Sequence, residues 1–133
     1  GRLAATELMA ADFFKGVDLI IPVPMHPSKQ KKRGYNQAEI IAQGIAHQTE
    51  IPLSNTHLLK SVNTESQTKK GRASRFENVK DSYTLKHVDQ LNADHILLID
   101  DVITTGSTLE ACGKILNEAL DCRLSILALA ATD

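Results

Sequence analysis

The sequence is poor in aromatic residues and cysteine, and it has no long apolar run. Three Phe, two Tyr and no Trp are too few for a platform that stacks the bases of single-stranded nucleic acid. No apolar stretch approaches the roughly 20 residues of a membrane-spanning helix, and no signal-peptide pattern opens the chain, so no membrane partner is expected. Cys112 and Cys122 lack metal-ligand spacing and are predicted to be packing residues of a cytoplasmic protein.

Charge of one sign is not in excess either. Fifteen Lys and Arg against sixteen Asp and Glu give a net charge of −1, which excludes a generally basic nucleic-acid-binding protein. The cations are nevertheless concentrated in residues 29–33 and 69–75. If both stretches face one site, they form a positively charged entrance that attracts an anion. Solvated loops, or a local contact with nucleic acid, are the alternatives for residues 29–33.

The apolar pattern predicts one domain that spans residues 1–133, of which 42% are hydrophobic. Three segments have helical periodicity, at residues 2–15, 36–46 and 109–120. Three others are predicted as buried strands, at residues 17–23, 96–99 and 123–130. Between them lie a basic loop (25–35), short strands (58–62 and 83–85), a mobile polar loop (63–71) and a short helix (72–79). Strands that alternate with helices predict an α/β fold, a doubly wound parallel sheet with helices on both faces.

The most informative stretch covers residues 96–109. Four apolar residues predict a strand that stops at two adjacent carboxylates, Asp100 and Asp101. A hydroxyl-rich turn follows, and Ser107 with Glu110 is spaced as a capping box at the start of the next helix. Backbone N–H groups and the positive end of the helix dipole gather at such a turn. Together with its hydroxyls and Gly106, they predict a phosphate cradle at residues 104–108.

The two carboxylates stand one step before this cradle, where they would repel a phosphate. Their predicted targets are therefore sugar hydroxyls or a Mg²⁺ ion that bridges to the ligand. A molecule with a phosphate next to a ribose diol meets both demands. The plain alternative is that Asp100 and Asp101 only end a strand and cap a helix.

The same stretch resembles a known motif. Four hydrophobic residues, two acids, two hydrophobic residues and Thr-Thr-Gly-Ser-Thr match the phosphoribosyl pyrophosphate (PRPP) motif of type I phosphoribosyltransferases at every position. The P-loop and the dinucleotide-binding fingerprint require glycine patterns that the sequence does not contain. A dehalogenase-like nucleophile would have its two aspartates separated by one residue, whereas here they are adjacent.

Further matches extend the resemblance to the ComF-type (competence protein F and GntX-like) branch over residues 1–131. They are Ile21-Pro22-Val23-Pro24, Arg33-Gly34-Tyr35-Asn36-Gln37-Ala38, and Gln67 followed by Arg75 and Asn78. The resemblance implies a pyrophosphate loop at residues 24–33 with Pro24, Met25, His26 and Arg33, a flexible loop with Gln67 and Arg72, and a 5′-phosphate site at Thr104, Thr105, Gly106, Ser107 and Thr108. It also implies that Asp100, Asp101 and Arg75 are catalytic, with the two aspartates holding Mg²⁺ directly or through the ligand. For His26, a solvent-exposed loop histidine is the alternative.

The resemblance implies transfer of a phosphoribosyl group from PRPP to a nitrogen acceptor, such as a nucleobase, with release of pyrophosphate. A PRPP or nucleotide sensor that lacks turnover, or an accessory protein of DNA uptake, is the second hypothesis. A phosphorylated receiver-like domain is the third, although it leaves the hydroxyl-rich turn unexplained. Family members usually begin with a cysteine-rich, zinc-finger-like segment that this sequence does not contain. The sequence identifies no acceptor and leaves the oligomeric state open.

Overall fold

The structure, a computed structural model, describes residues 12–61 and 82–132. The elements in chain order are β1 (Leu19–Pro22), α1 (Pro27–Arg33), α2 (Gln37–Thr49), β2 (Leu58–Lys60), β3 (Tyr83–Leu85), a 3₁₀ helix (Val88–Gln90), β4 (His95–Ile103), α3 (Ser107–Ala119) and β5 (Arg123–Ala131). Most of the helix predicted at 2–15, the loop at 63–71 and the helix at 72–79 lie outside the described residues. In the part that the structure describes, no helix is both long and apolar enough to cross a membrane.

Strand β4 is the centre of a parallel sheet in the order β1-β4-β5. Ile21 of β1 and Ile126 of β5 both pair with Leu98 of β4. An additional parallel bridge joins Ile20 to Leu53, beyond β1. At the start of the sheet, the Asp18 carboxylate accepts the backbone N–H of His95 at 3.0 Å, which ties the entries of β1 and β4 together. Parallel pairing through helical crossovers confirms the predicted α/β class.

The side chains of β4 alternate between two apolar layers. Ile96 and Leu98 belong to the layer that contains α3, and Leu97 and Ile99 belong to the layer that contains α2. All four side chains are completely buried, which explains why the sequence shows a continuous apolar run instead of an alternating one. Each such side chain contributes about 1.5–3 kcal/mol to stability by its burial. This burial on both faces holds β4, and with it the residues at its carboxyl end, in a defined position.

Two short strands form a separate antiparallel hairpin, in which Leu58 pairs with Leu85 and Lys60 with Tyr83. Leu58 and Tyr83 are buried in the same apolar cluster as Leu109 and Cys112 of α3. The hairpin therefore packs beside the first turns of α3. The strand predicted at 58–62 is observed as the shorter β2, and the strand predicted at 83–85 has the expected bounds.

The predicted loop at residues 25–35 is wrong in part, because residues 27–33 form helix α1. The His26 side chain caps its start by accepting the Ser28 N–H at 3.1 Å, and Pro27 occupies a position where its missing N–H costs nothing. Gly34 ends the helix at a φ of +87°. The cap, the proline and the glycine were all visible in the sequence, but the concentration of cations favoured a loop. No side chain of α1 is buried.

Helix α2 begins as predicted, with the Asn36 side chain accepting the Ala38 N–H at 3.1 Å. Its buried face consists of Ala38, Ile41, Ala42 and Ile45, which recur at the spacing of one helix face within the segment predicted as a helix at 36–46. The Asn36 amide also donates to the Val23 carbonyl at 3.1 Å. This second bond fastens the helix start to the chain that leaves β1.

Candidate functional site

The two carboxylates lie inside β4 and not after its end, which corrects the predicted boundary. The strand continues to Ile103, and Asp100 pairs with Ala128 of β5. The Asp100 Oδ1 atom accepts the Asp101 N–H at 2.8 Å, and the Asp101 Oδ1 atom accepts the Val102 N–H at 2.9 Å. Both side chains are half-buried at the carboxyl edge of the sheet. Pairing with the long strand β5 accounts for the extension, because it supplies ladder partners for residues that alone predict a turn.

Burial raises the pKa of Asp100 to about 6, and the adjacent Asp101 carboxyl adds to the shift because one proton can be shared between the two groups. The backbone N–H of Asp101 acts in the opposite direction. The ionised form of Asp100 is therefore less favourable in free energy here than it would be in water. A bound cation or a pair of hydroxyl donors would stabilise this ionised carboxylate.

The turn after β4 leads into α3 through Gly106, which has a φ of +81° and is the N-cap residue. The predicted capping box of Ser107 and Glu110 is therefore wrong, since Ser107 is already the first helical residue. A serine would be strained at this left-handed position, whereas glycine adopts it freely, so the cap falls on Gly106 and the helix starts one residue earlier than the predicted capping box implies. The Thr105 and Ser107 hydroxyls lie 2.9 Å apart across the turn.

Backbone donors face the turn because the first intrahelical bond joins the Glu110 N–H to the Gly106 carbonyl at 2.9 Å. The N–H groups of Thr108 and Leu109 precede that bond and have no helical partner. An open pocket lies here, lined by Asp100, Val102, Ile103, Thr104, Thr105, Gly106, Thr108 and Leu109. An acid, a run of hydroxyls and backbone donors thus share one small pocket, and this combination is suited to a phosphorylated sugar.

The predicted pyrophosphate-loop residues follow the neighbouring strand. The Val23 N–H donates to the Ile99 carbonyl at 2.8 Å, so the chain that leads to Pro24 leaves the sheet beside Asp100. Pro24 and Met25 line a second pocket, which shares no residue with the first. His26 is engaged as the cap of α1, and Arg33 is exposed in its last turn. Gln67, Arg72 and Arg75 lie outside the described residues.

Two residues that sequence reasoning did not single out lie beside the cradle, Tyr83 and Lys60. Tyr83 is 6% exposed and is buried in the same apolar cluster as Leu109 and Cys112 of α3. The Lys60 Nζ atom lies 5.5 Å from the centre of the Tyr83 ring. No sequence pattern signals this contact, because it arises when the β2–β3 hairpin packs on α3.

Within residues 12–61 and 82–132, no cluster of three or more His, Cys, Asp or Glu side chains could hold a metal by itself. Asp100 and Asp101 make a two-carboxylate set. Mg²⁺ is commonly bound by one or two carboxylates together with substrate phosphates and water. The pair fits that mode and does not fit a metal cage made of protein alone.

The sequence is similar to those of three curated relatives. Competence protein F of Haemophilus influenzae is 32% identical over 117 residues, covering 87% of this chain and 51% of the relative. DNA utilization protein YhgH of Salmonella typhi is 28% identical over 118 residues, covering 86% and 51%. Competence protein ComFC of Bacillus subtilis is 29% identical over 102 residues, covering 75% and 38%. The chain thus spans about half the length of the first two and less of the third. No protein-family profile matches it.

The fold is similar to those of two solved structures. Adenine phosphoribosyltransferase from Saccharomyces cerevisiae, in complex with an imino-altritol bisphosphate and adenine, superposes with a TM-score of 0.62 at 13% identity and covers 98% of this chain and 66% of the enzyme. Glutamine PRPP amidotransferase from Bacillus subtilis superposes with a TM-score of 0.60 at 18% identity, covering 96% and 26%. At these identities the likeness shows the fold alone. The relatives and the shared fold together show that this chain is a ComF-type member of the type I phosphoribosyltransferase fold.

Proposed function

We propose that the chain binds PRPP and transfers its phosphoribosyl group to a nitrogen acceptor, releasing pyrophosphate. The observation that carries this proposal is the position of a half-buried acid pair next to a hydroxyl-rich turn that opens helix α3. The turn offers donors for a phosphate, and the acids offer acceptors for hydroxyls. A phosphate and a diol at that spacing occur together in a 5-phosphoribosyl group.

In this proposal, residues 104–108 hold the 5′-phosphate through backbone N–H groups and hydroxyls. Asp100 and Asp101 accept the ribose hydroxyls. The half-buried position of Asp100 supports this role, because hydroxyl donors would replace the water that the carboxylate has lost. The two parts of the site are chemically independent, since an anion needs no acid for its binding.

The reaction exchanges one bond at the ribose anomeric carbon. The carbon–oxygen bond to pyrophosphate breaks, the pyrophosphate leaves with the electron pair, a carbon–nitrogen bond forms, and the acceptor nitrogen loses a proton. The transition state has oxocarbenium character, so the chain's main task is to fix the ribose and hold the leaving group in line. When bound, Mg²⁺ would offset the charge of the departing pyrophosphate, held by Asp100 and Asp101 together with ligand oxygens.

The cations of α1 and the residues outside the described part complete the proposal. Arg33 ends α1 on the exposed side, close in sequence to Pro24, Met25 and His26, and it is proposed to attract the pyrophosphate. Gln67, Arg72 and Arg75 are proposed to act on the same group, on the ground of the motif resemblance. We propose a cytoplasmic location, where PRPP is made and used.

A second candidate is a protein that binds PRPP or a nucleotide without turnover and serves DNA uptake. The relatives' names favour it, since they are called competence proteins and DNA utilization proteins. It needs the same cradle and the same acids but no acceptor pocket. The two candidates therefore differ in pyrophosphate release and not in ligand binding.

Calorimetry with PRPP and Mg²⁺, followed by a pyrophosphate-release assay against a panel of nucleobases and ammonia, tests both candidates. Binding with release in the presence of one acceptor supports the transferase. Binding without release for every acceptor supports the accessory protein. Failure of PRPP to bind overturns both. Asp101→Asn serves as the site variant, and Asp121→Asn, an exposed carboxylate outside the site, is the matched control.

A further inference from the structure

Strand β5 forms one edge of the sheet along its whole length of nine residues. The Arg123 N–H donates to the Asp94 carbonyl at 2.8 Å, so Arg123 turns its backbone groups toward β4. Backbone groups alternate in direction along a strand, and those of Leu124 and Ile126 therefore point away from the sheet. In the part of the chain that the structure describes, no strand pairs with this side of β5. The edge thus presents a row of backbone donors and acceptors to its surroundings.

The sequence of β5 does not protect this edge. Natural edge strands avoid pairing by being short or by carrying lysine, proline or an inward-pointing charge. β5 is longer than the usual five or six residues, and after Arg123 it contains no charged residue and no proline. Ile126 is 48% exposed and Leu129 is 53% exposed. A long apolar edge with exposed side chains is the kind of surface that a further strand covers.

An open groove of about 580 Å³ lies beside this edge, between β5 and α3. Leu109, Leu124 and Ile126 give it an apolar floor. Its wall is one face of α3, formed by residues at three- and four-residue spacing: Glu110, Gly113, Lys114, Asn117 and Glu118. The groove and the edge of β5 are continuous, because Leu124 and Ile126 belong to both.

The opposite edge of the sheet is already occupied. The Ile20 N–H donates to the Pro52 carbonyl, and the Ser54 N–H donates to the Ile20 carbonyl, both at 2.9 Å. A second copy therefore cannot add its β5 to β1 and build an open row of sheets. The pairing that remains between two copies is β5 with β5. An interface that uses the same patch on both copies has a two-fold axis, which makes the strands antiparallel and closes the assembly at two copies.

A two-fold axis beside β5 also places a helix against the groove. Helix α3 packs on both β4 and β5, so its axis lies over the space between them, about 2.4 Å inside β5. The two-fold axis would lie about 2.4 Å outside β5, at half the spacing of paired strands. The two α3 helices would then be about 10 Å apart, which is a normal distance between packed helices.

The face of α3 that lines the groove is complementary in charge to its own copy. Glu110, Lys114 and Glu118 are exposed and follow one another at four-residue intervals. A two-fold axis reverses the order of the second helix, so Lys114 can face a glutamate of the second copy. A surface that carries both signs in this way favours a copy of itself over a partner of one charge.

We propose that β5 pairs antiparallel with β5 of a second copy around a two-fold axis at Ile126, which joins the two sheets into one. The pairing of β5 with β4 is unbroken from Arg123 to Ala128, and Ile126 is the middle residue of the three in this stretch whose backbone groups point outward. In this register Ile126 exchanges two hydrogen bonds with the same residue of the second copy, and Leu124 lies opposite Ala128.

The proposed interface is small. β5 and the groove-lining face of α3 contribute about 14 residues from each copy, fewer than the 20–30 of a standard interface. The dimer is therefore expected to be weak and to depend on concentration. The two phosphate cradles would lie at opposite ends of the joined sheet, so the proposal is independent of the proposed function.

Sedimentation equilibrium tests the dimer. Between about 1 µM and about 1 mM, the average mass is expected to rise from the 14.5 kDa of one copy toward twice that value. Ile126→Lys places two like charges at the axis and is expected to keep the mass of one copy at every concentration, with circular dichroism confirming that the variant is folded. Ile40→Lys, at a 52% exposed position on α2, is the matched control and should associate as the wild type does.

Three results of this experiment would overturn the proposal. They are a wild-type protein that keeps the mass of one copy over the whole range, an association that Ile126→Lys leaves unchanged, and a mass that rises beyond two copies. A mixture of Ile126→Lys with Ile126→Glu separates charge from misfolding. The mixture is expected to form a mixed dimer although neither variant associates alone, and a wild-type dimer without a mixed dimer would contradict the axis at Ile126.

Cysteine cross-linking in a Cys122→Ser background tests the register. Ile126→Cys should form a disulfide-linked dimer under mild oxidation, because the Cα atoms of directly paired residues lie about 5.5 Å apart. Arg123→Cys is the control, since its two copies would be about 20 Å apart and should cross-link much more slowly. Equal rates for the two cysteines would overturn the proposed pairing.

Discussion

The backbone N–H of Val23 donates to the Ile99 carbonyl at 2.8 Å, one residue before Pro24 in one segment and one residue before Asp100 in the other. Pro24 and Asp100 therefore lie side by side at the carboxyl edge of the sheet. Parallel strands bring their carboxyl ends to one edge, and this edge is where open α/β sheets bind ligands. Two stretches that are far apart in the sequence are thus joined by a single ladder of hydrogen bonds.

Gly106→Ala should destabilise the protein by about 1–2 kcal/mol, because an L side chain is strained at the observed φ of +81°. An added Cβ would meet no protein atom within 4 Å, so the strain has a purely backbone origin. Urea unfolding measures the loss of stability. Calorimetry with inorganic phosphate measures, for the same variant, the affinity of the cradle at residues 104–108 for an anion. Gly113→Ala is the control: its φ is ordinary and its Cβ would lie 3.4 Å from Leu124, so it should be neutral or slightly stabilising. Equal effects of the two substitutions would contradict the backbone argument.

Asp100→Asn should stabilise the protein at neutral pH and have little effect in acid. The native pKa of about 6 lies above the ordinary value of 3.8, so the folded state binds this proton more tightly than the unfolded state does. The stability that comes from this proton is present at low pH and is lost as the pH rises through that interval. The expected gain for the variant above the interval is about 1 kcal/mol, after allowance for solvent screening of a half-buried group.

The measurement for Asp100→Asn is the free energy of unfolding in urea across the acidic and neutral range. Asp89→Asn, at an exposed position on the 3₁₀ helix, is the control and should give a flat difference. If the stability gained by Asp100→Asn became smaller as the pH rises, the raised pKa of Asp100 in the folded state would be contradicted.

Asp101→Asn should weaken Mg²⁺-dependent PRPP binding by about 1–3 kcal/mol, the value of a charged hydrogen-bonding partner. The same substitution should leave the affinity for inorganic phosphate equal or slightly higher, because it removes a nearby negative charge. Calorimetry with each ligand separates the two effects. Unchanged PRPP affinity and unchanged Mg²⁺ dependence in a folded variant would make the acid pair structural.

Asn36→Ala should cost about 2 kcal/mol of stability, because one buried amide both caps α2 and satisfies the Val23 carbonyl. Asn36→Ser keeps an oxygen for the cap but lacks the amide nitrogen that donates to the Val23 carbonyl, so it should cost less than Asn36→Ala. Thermal and urea unfolding measure both variants. Asn55→Ala, which removes an exposed bond to Glu39, is the control and should cost under about 1 kcal/mol. A loss from Asn36→Ala no larger than that of the control would refute the double role.

The two thiols should differ sharply in reactivity. Cys112 is completely buried, and burial raises its pKa to about 12, whereas Cys122 is only partly buried. An aromatic disulfide reagent should therefore modify Cys122 first and Cys112 only as fast as the protein opens. Cys122→Ser should abolish the fast phase. Rapid modification of Cys112 in that variant would show that the core around α3 is open.

The sequence predicted those parts of the site that are local along the chain. A continuous apolar run had to be a doubly covered strand, and the polar residues after it had to reach the edge of the sheet. The left-handed Gly106 and the extension of β4 to Ile103 were missed, since each depends on backbone angles or on a partner strand. The packing of Tyr83 against Leu109 and Cys112 depends on how a distant hairpin folds onto α3, and no periodicity reports that.

The bond between Asp18 and His95 spans 77 residues of chain, whereas β4, α3 and β5 follow one another directly. Closing the longer loop costs more chain entropy, so β1 should join the sheet after the β4-α3-β5 unit has assembled. Residues 100–108 belong entirely to that early unit. On the folding pathway, the phosphate cradle is therefore expected to exist before residues 24–33 arrive beside it, so a phosphate ligand could bind and stabilise a partly folded chain.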